Sequence, residues 1–189
     1  MIRAIIFDCF GVLATEAWLP FKTKYFGDDP ARFEQATDLG NQANRGLISY
    51  DDFLRLIGVM TNMTPDAVDS EIARNVPDEE LFTYLRELKP TYKLGLLSNI
   101  ARNRLEQMFA DDQLALFDAI TLSYKSGYIK PQPEAYSVVA DQLKVSINNC
   151  MFVDDQERNV SGARTAGMQA ILYRSAAQLR QELEPLLTG

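Results

Sequence analysis

Five short apolar runs, at residues 3–7, 94–97, 119–122, 150–153 and 169–173, most constrain the fold, because each has the length of a buried strand. Stretches of helical period cover 79–89, 102–109, 133–143 and 159–166, and an amphipathic stretch at 176–187 follows the last run. Strands alternating with helices pair in parallel through helical crossovers. The expected fold is therefore α/β, a Rossmann-like parallel sheet with helices on both faces. With 189 residues, 47% of them hydrophobic, the chain can bury a full core.

The first run breaks the alternation. Residues 15–78 separate it from the next helix of the core pattern, and they look helical throughout. Ser49-Tyr50-Asp51-Asp52 has the form of a capping box ahead of Phe53, Leu54, Leu56, Ile57 and Met60. Thr64-Pro65 reads as an N-cap followed by proline at the first helical position, opening a segment that runs to about residue 74. The expected organisation is a core of residues 1–14 and 79–189 with a small helical cap, residues 15–78, inserted after the first strand. Such an element suits a lid, and a helical layer that only thickens the core is the competing reading. No internal repeat and no low-complexity segment is present.

The chemistry is expected at strand ends. Ile5-Ile6-Phe7-Asp8 runs an apolar strand into a carboxylate, with Gly11 shortly after, so Asp8 is the candidate nucleophile at the rim of the sheet. Leu97-Ser98-Asn99 ends the second strand with a hydroxyl and an amide, both suited to phosphate oxygens. Ile129-Lys130-Pro131 places a lysine in a proline-restricted loop, and Val153-Asp154-Asp155 ends a further strand with two acids. In a parallel sheet these ends meet along one edge. Asp8 and Asp154 together suit a Mg²⁺ ion that bridges to a substrate phosphate. Lys130 would neutralise charge on Asp8 and on the transferred group, while Ser98 and Asn99 hold its oxygens. Asp155 would act on a metal-bound water or orient Lys130.

Composition removes other chemistries. The chain contains no histidine, so imidazole acid–base catalysis, Ser-His-Asp and Cys-His pairs and histidine-ligated zinc are excluded. A net charge of −7 without a basic run opposes binding to nucleic acid or an anionic membrane. The N-terminal apolar run is shorter than a signal core, no stretch reaches membrane-span length, and Cys9 and Cys150 sit beside apolar residues as reduced buried thiols do. A cytoplasmic protein is expected. Nothing marks an exposed apolar seam, so the oligomeric state stays open.

In this order, Phe7-Asp8-Cys9-Phe10-Gly11-Val12-Leu13, Leu97-Ser98-Asn99, Lys130-Pro131 and Val153-Asp154-Asp155 with Asn159 resemble the four motifs of the haloacid dehalogenase-like hydrolase superfamily. The resemblance covers essentially the whole chain, and the insertion is similar to that family's helical cap. It implies Mg²⁺ dependence, an aspartyl-phosphate intermediate on Asp8 and the backbone carbonyl of Phe10 as a third metal ligand. The pattern is most similar to small-capped sugar-phosphate phosphatases and to the N-terminal domains of epoxide hydrolases. The implied function is hydrolysis of small phosphorylated metabolites.

Phe10 departs from the family's phosphatases, most of which carry an aspartate there to protonate the leaving group. Losing such a group typically costs roughly 10²–10⁴-fold in rate. Three outcomes are compatible with Phe10: a substrate with a good leaving group, a proton from the cap or the substrate, or lost catalysis with the fold kept for binding phosphate. Dehalogenases of the family resemble this chain in having an aromatic residue at that position, but their fourth motif is poorer in carboxylates, which ranks dehalogenation below phosphate transfer. Several bland readings compete. Ser98-Asn99 could cap the helix expected near 102, Asp154-Asp155 could be an acidic helix start, and Lys125 rivals Lys130. Cys9 reads as structural, and Trp18, Phe21, Tyr25, Phe26 and Arg45 as core or surface, with a minority role in gripping a leaving group.

Overall fold

Strand and helix alternate along the chain as the apolar pattern requires. The structure, a computed structural model, describes residues 1–187. Strand β1 (Ala4–Phe7) leads into four helices, α1 (Trp18–Phe26), α2 (Pro30–Asn44), α3 (Tyr50–Thr61) and α4 (Pro65–Ile72). There follow α5 (Glu79–Leu88), β2 (Lys93–Ser98), the short α6 (Leu105–Met108) and α7 (Asp111–Leu114), β3 (Ala119–Leu122), α8 (Ser123–Ser126) and α9 (Pro133–Leu143). The chain continues through β4 (Cys150–Asp154), α10 (Glu157–Thr165), β5 (Gln169–Leu172) and α11 (Ala176–Leu187). The expected core range ends at 189, and Thr188 and Gly189 lie outside the described residues.

All five strands pair in parallel in the order β3-β2-β1-β4-β5. Successive strands step outward from β1 to β3 and then return to β4 on its other side. The order therefore reverses between β1 and β4, the position where open α/β sheets leave a crevice for ligands. Phe7 is in register with both Leu96 and Val153, which brings Asp8 level with the end of β4.

Side chains alternate across the sheet. Ile5 and Phe7 pack on Leu81 and Leu85 of α5 and on Leu179 and Leu183 of α11. Ile6 and Ala4 face Tyr136 and Val139 of α9 and Ala163 of α10. Helices thus cover both faces, and strands buried on both sides explain why the apolar runs are continuous rather than alternating.

The four inserted helices have a cluster of their own, built on Phe21, Phe26, Phe53, Ile57 and Val68. Ser49 caps α3 by accepting from the Asp52 amide, and Thr64 caps α4 by accepting from that of Ala67, with Pro65 opening the helix. Helix α4 ends at Ile72, two residues before the expected 74. The ends of the insertion are tied together: Thr15 N–H donates to Val76 O at 2.9 Å, and Val76 N–H to Thr15 Oγ1 at 2.9 Å.

One expected helix is much shorter than its periodicity suggests. Instead of 102–109, only Leu105–Met108 is helical. Residues ahead of it are drawn elsewhere: Asn99 binds the backbone of Lys130, Arg102 pairs with Asp69, and Asn103 Oδ1 accepts from Leu105 N–H. Among the described residues, no helix is long and apolar enough to cross a membrane.

Candidate active site

Asp8 follows directly on β1 and is 5% exposed. Its backbone N–H continues the ladder to Val153 O at 2.9 Å, which fixes the residue at the reversal point of the sheet. Its Oδ1 accepts from the Cys9 N–H at 2.6 Å and from the Lys130 ammonium at 2.6 Å. The other oxygen, Oδ2, carries no hydrogen bond among the described residues.

Lys130 is buried between two acids, reaching Asp8 Oδ1 at 2.6 Å and Asp154 Oδ2 at 2.7 Å. Burial pulls its pKa down, but Asp154 and Asp8 more than offset this, so the ammonium titrates above its ordinary range and stays protonated. Asn99 anchors the lysine's backbone, accepting from Lys130 N–H at 2.8 Å and donating to Lys130 O at 3.1 Å. The Lys130-Pro131 peptide is cis. Lys125, the rival lysine, is exposed beside the Tyr124 ring.

Asp154 ends β4 fully buried. Asn159 Nδ2 donates to both its oxygens at 3.1 Å, and the Gln156 N–H donates to Oδ1 at 2.8 Å. Asn159 is in turn held by Tyr136, whose hydroxyl donates to its carbonyl at 2.7 Å. Asp155 lies against the loop after Asp8. Gly11 there has φ +86°, and a Cβ on it would stand 2.4 Å from Asp155 Oδ2, so only glycine lets the carboxylate approach.

Asp8, Asp154 and Asp155 offer carboxylate oxygens all within 4.8 Å of one another, with Lys130 the one ammonium among them. The cluster is short of positive charge. Burial raises the Asp8 pKa well above its usual value, with further contributions from Asp154 and Asp155 that Lys130 opposes. Burial, then Asp154, pushes the Asp155 carboxyl up from 3.8 to about 6, and its buried Oδ1 has no hydrogen-bond partner. No backbone hydrogen bond ends on the Phe10 carbonyl among the described residues. A set of hard oxygen donors with excess negative charge and an orphaned oxygen fits Mg²⁺.

The remaining expected residues fall into three situations. Ser98 is fully buried at the end of β2, and its hydroxyl lies by the Cys9 thiol without a conventional partner. The Asn99 side chain lines the cavity and also holds the lysine loop through both bonds to Lys130, and neither residue caps a helix. Phe10 is half-buried and packs on the core cluster beside the site. Cys9 is buried, and burial together with Asp8 drives its thiol pKa well up, which suits the structural reading.

Above these residues opens a cavity of about 690 Å³ that runs from Asp8, Lys130 and Asp155 to the inserted helices. Trp18, Phe33, Tyr50 and Phe53 form apolar parts of its wall. Phe21 and Phe26 sit in the core of the inserted layer, and Arg45 is exposed. Lys22, Arg104 and Arg158 also line the cavity. No sequence signal singles them out, since their meeting depends on how helices of the insertion lie over the sheet.

A parallel sheet with this strand order, a strand-end aspartate and two further acids at the reversal point define a class. The chain belongs to the haloacid dehalogenase-like hydrolase family, whose model matches residues 2–167. Over 97% of its length it is similar to bifunctional epoxide hydrolase 2 of Rattus norvegicus, 43% identical over 214 residues, and it spans 38% of that relative. Against D-ribitol-5-phosphate phosphatase of Bacteroides thetaiotaomicron it is 25% identical over 206 residues, covering 100% of both chains. A HAD family enzyme of Bacteroides thetaiotaomicron, solved in complex with magnesium and inorganic phosphate, shares the fold with a TM-score of 0.72 at 22% identity, covering 92% of this chain and 95% of that one.

Proposed function

We propose that the chain is a Mg²⁺-dependent phosphatase of small phosphorylated metabolites that works through an aspartyl-phosphate on Asp8, with residues 15–78 as its cap. The observation that carries the reading is the buried Asp8–Lys130–Asp154 array at the sheet's reversal point, opening on a cavity with Asp155 beside it. The phosphatases among its relatives support it.

Asp8 Oδ2 is the oxygen free to attack phosphorus. The new O–P bond forms as the ester P–O bond breaks, and water then displaces Asp8 from phosphorus, releasing phosphate. Lys130 has three N–H donors, two of them spent on Asp8 and Asp154, which leaves one for a phosphoryl oxygen. Asn99 keeps that ammonium in place through the backbone. Ser98, whose hydroxyl lacks a partner, would donate to a second phosphoryl oxygen. A Mg²⁺ ion held by Asp8, Asp154 and the Phe10 carbonyl, with Asp155 contacting its water, would neutralise charge on the transferred group. Phe10 supplies no proton, so substrates with good leaving groups are favoured.

The experiment is release of phosphate from an activated aryl phosphate with and without Mg²⁺, using Asp8→Asn as the blank. Turnover should require both the metal and Asp8. Activity surviving Asp8→Asn would refute the reading. Halide release from a 2-haloacid in excess chelator would replace it with dehalogenation, whose chemistry has no use for the clustered carboxylates.

A further inference from the structure

Helix α1 of the insertion and two segments of the core bring to the cavity cations that the carboxylate cluster does not use. Lys22 on α1 is 7% exposed, and its ammonium donates to Thr37 Oγ1 at 2.8 Å. It lies 4.5 Å from the Phe33 ring centroid and 5.6 Å from that of Trp18, so aromatic faces hold it in place. Arg104 is also 7% exposed, and its buried Nε has no hydrogen-bond partner. Arg158 on α10 donates its Nε only to Gln156.

All three line the cavity that contains Asp8 and Lys130. None lies within ion-pairing distance of a carboxylate among the described residues. Arg102, by contrast, is paired with Asp69. Glu16 acts on Lys22 through space without an ion pair between them, and its two oxygens accept from the Trp18 and Leu19 N–H groups at 2.7 Å.

A buried ammonium with no carboxylate in contact is only partly compensated, and an anion docking beside it offsets the remaining cost. We propose that the substrate carries a second anionic group, distal to the transferred phosphoryl, which binds Lys22 with Arg158 and Arg104 adding charge from the neighbouring walls. The inference rests on the phosphatase reading and narrows its substrate class to phosphate monoesters bearing a distal phosphate or carboxylate. Trp18 and Phe33 would cover the carbon linker between the two groups.

The test uses the full chain with Mg²⁺ and pairs of esters matched in length: alkanediol bisphosphates or ω-phosphooxy carboxylates against ω-hydroxyalkyl phosphates, over several linker lengths. At the best length the doubly anionic ester should be preferred by about tenfold or more in kcat/KM, mainly through KM. The two anionic series show whether phosphate or carboxylate is read. In Lys22→Met, which keeps an apolar stem of similar length, the preference ratio should fall toward one. Arg158→Gln, at an exposed position, should lower it in the same direction. Calorimetric binding of the same pairs to Asp8→Asn reads the ratio without turnover. Hydrolysis of every ester with no preference at any length overturns this inference and leaves the phosphatase reading standing. Absence of turnover with all esters and with the activated aryl phosphate overturns the phosphatase reading, and this one with it.

Discussion

Replacing Lys130 with methionine isolates the electrostatic logic of the site. Lys130, Asp8 and Asp154 have side chains only 1%, 7% and 0% exposed, and the ammonium bonds one oxygen of each acid at 2.6 and 2.7 Å. Removing one partner from a buried ionic array leaves uncompensated charge and typically costs about 3–5 kcal/mol. For a chain of 189 residues, at about 2–4 °C of melting temperature per kcal/mol, Lys130→Met should melt roughly 6–20 °C lower in chelator. Mg²⁺ should then raise the stability of the variant by more than that of the parent protein, because it takes over charge that Lys130 had balanced. Urea denaturation with chelator or with Mg²⁺ measures all four stabilities. A loss below about 1 kcal/mol in chelator, or equal Mg²⁺ increments in both proteins, would refute the argument that Lys130 is the counter-charge of these acids.

The two residues at the end of β2 should separate cleanly. Asn99→Ala removes both bonds to the Lys130 backbone and should cost about 1–3 kcal/mol, with kcat falling more than KM rises. Ser98→Ala deletes an unpartnered buried hydroxyl and should leave stability unchanged or slightly raised while kcat/KM falls; a marked stability loss on denaturation would show that the hydroxyl has a structural partner. The Asp155 carboxyl, raised from 3.8 to about 6, holds its proton in the folded chain where the unfolded chain has lost it. Its contribution is therefore present at low pH and lost as pH rises through about 6. In chelator, Asp155→Asn should gain stability relative to the parent between about pH 5 and about pH 7, by about 1 kcal/mol after allowing for solvent screening, and a constant difference across that range would contradict the assignment.

Residues whose position follows from strand direction were legible in the sequence. Asp8, Lys130, Asp154 and Asp155 each follow an apolar run or a proline-restricted loop, and a parallel sheet leaves such residues little choice but one edge. The helix caps at Ser49 and Thr64 were legible for the same local reason, since spacing alone places the hydroxyl by an orphaned amide. The bonds of Asn99 to the Lys130 backbone were not legible, because that partner lies 31 positions away and an amide suits a phosphate as well as a peptide group. The helix expected at 102–109 starts late because Arg102 pairs with the distant Asp69 while Asn103 Oδ1 accepts from the Leu105 N–H, a local turn bond that competes with helix. Lys22, Arg104 and Arg158 could not be found at all, since a lone cation on a helix or in a loop is ordinarily a solvated one.

The pinning of Thr15 against Val76 has a consequence for how such a chain can change. Because the insertion leaves and rejoins the sheet at neighbouring backbone atoms, with Asp78 N–H returning to Leu13 O at 2.9 Å, what is strung between those anchors contributes little to the threading of the core. The carboxylate-bearing platform could host a different roof without rewiring its strands, so changes in the inserted layer need not disturb the acids below it.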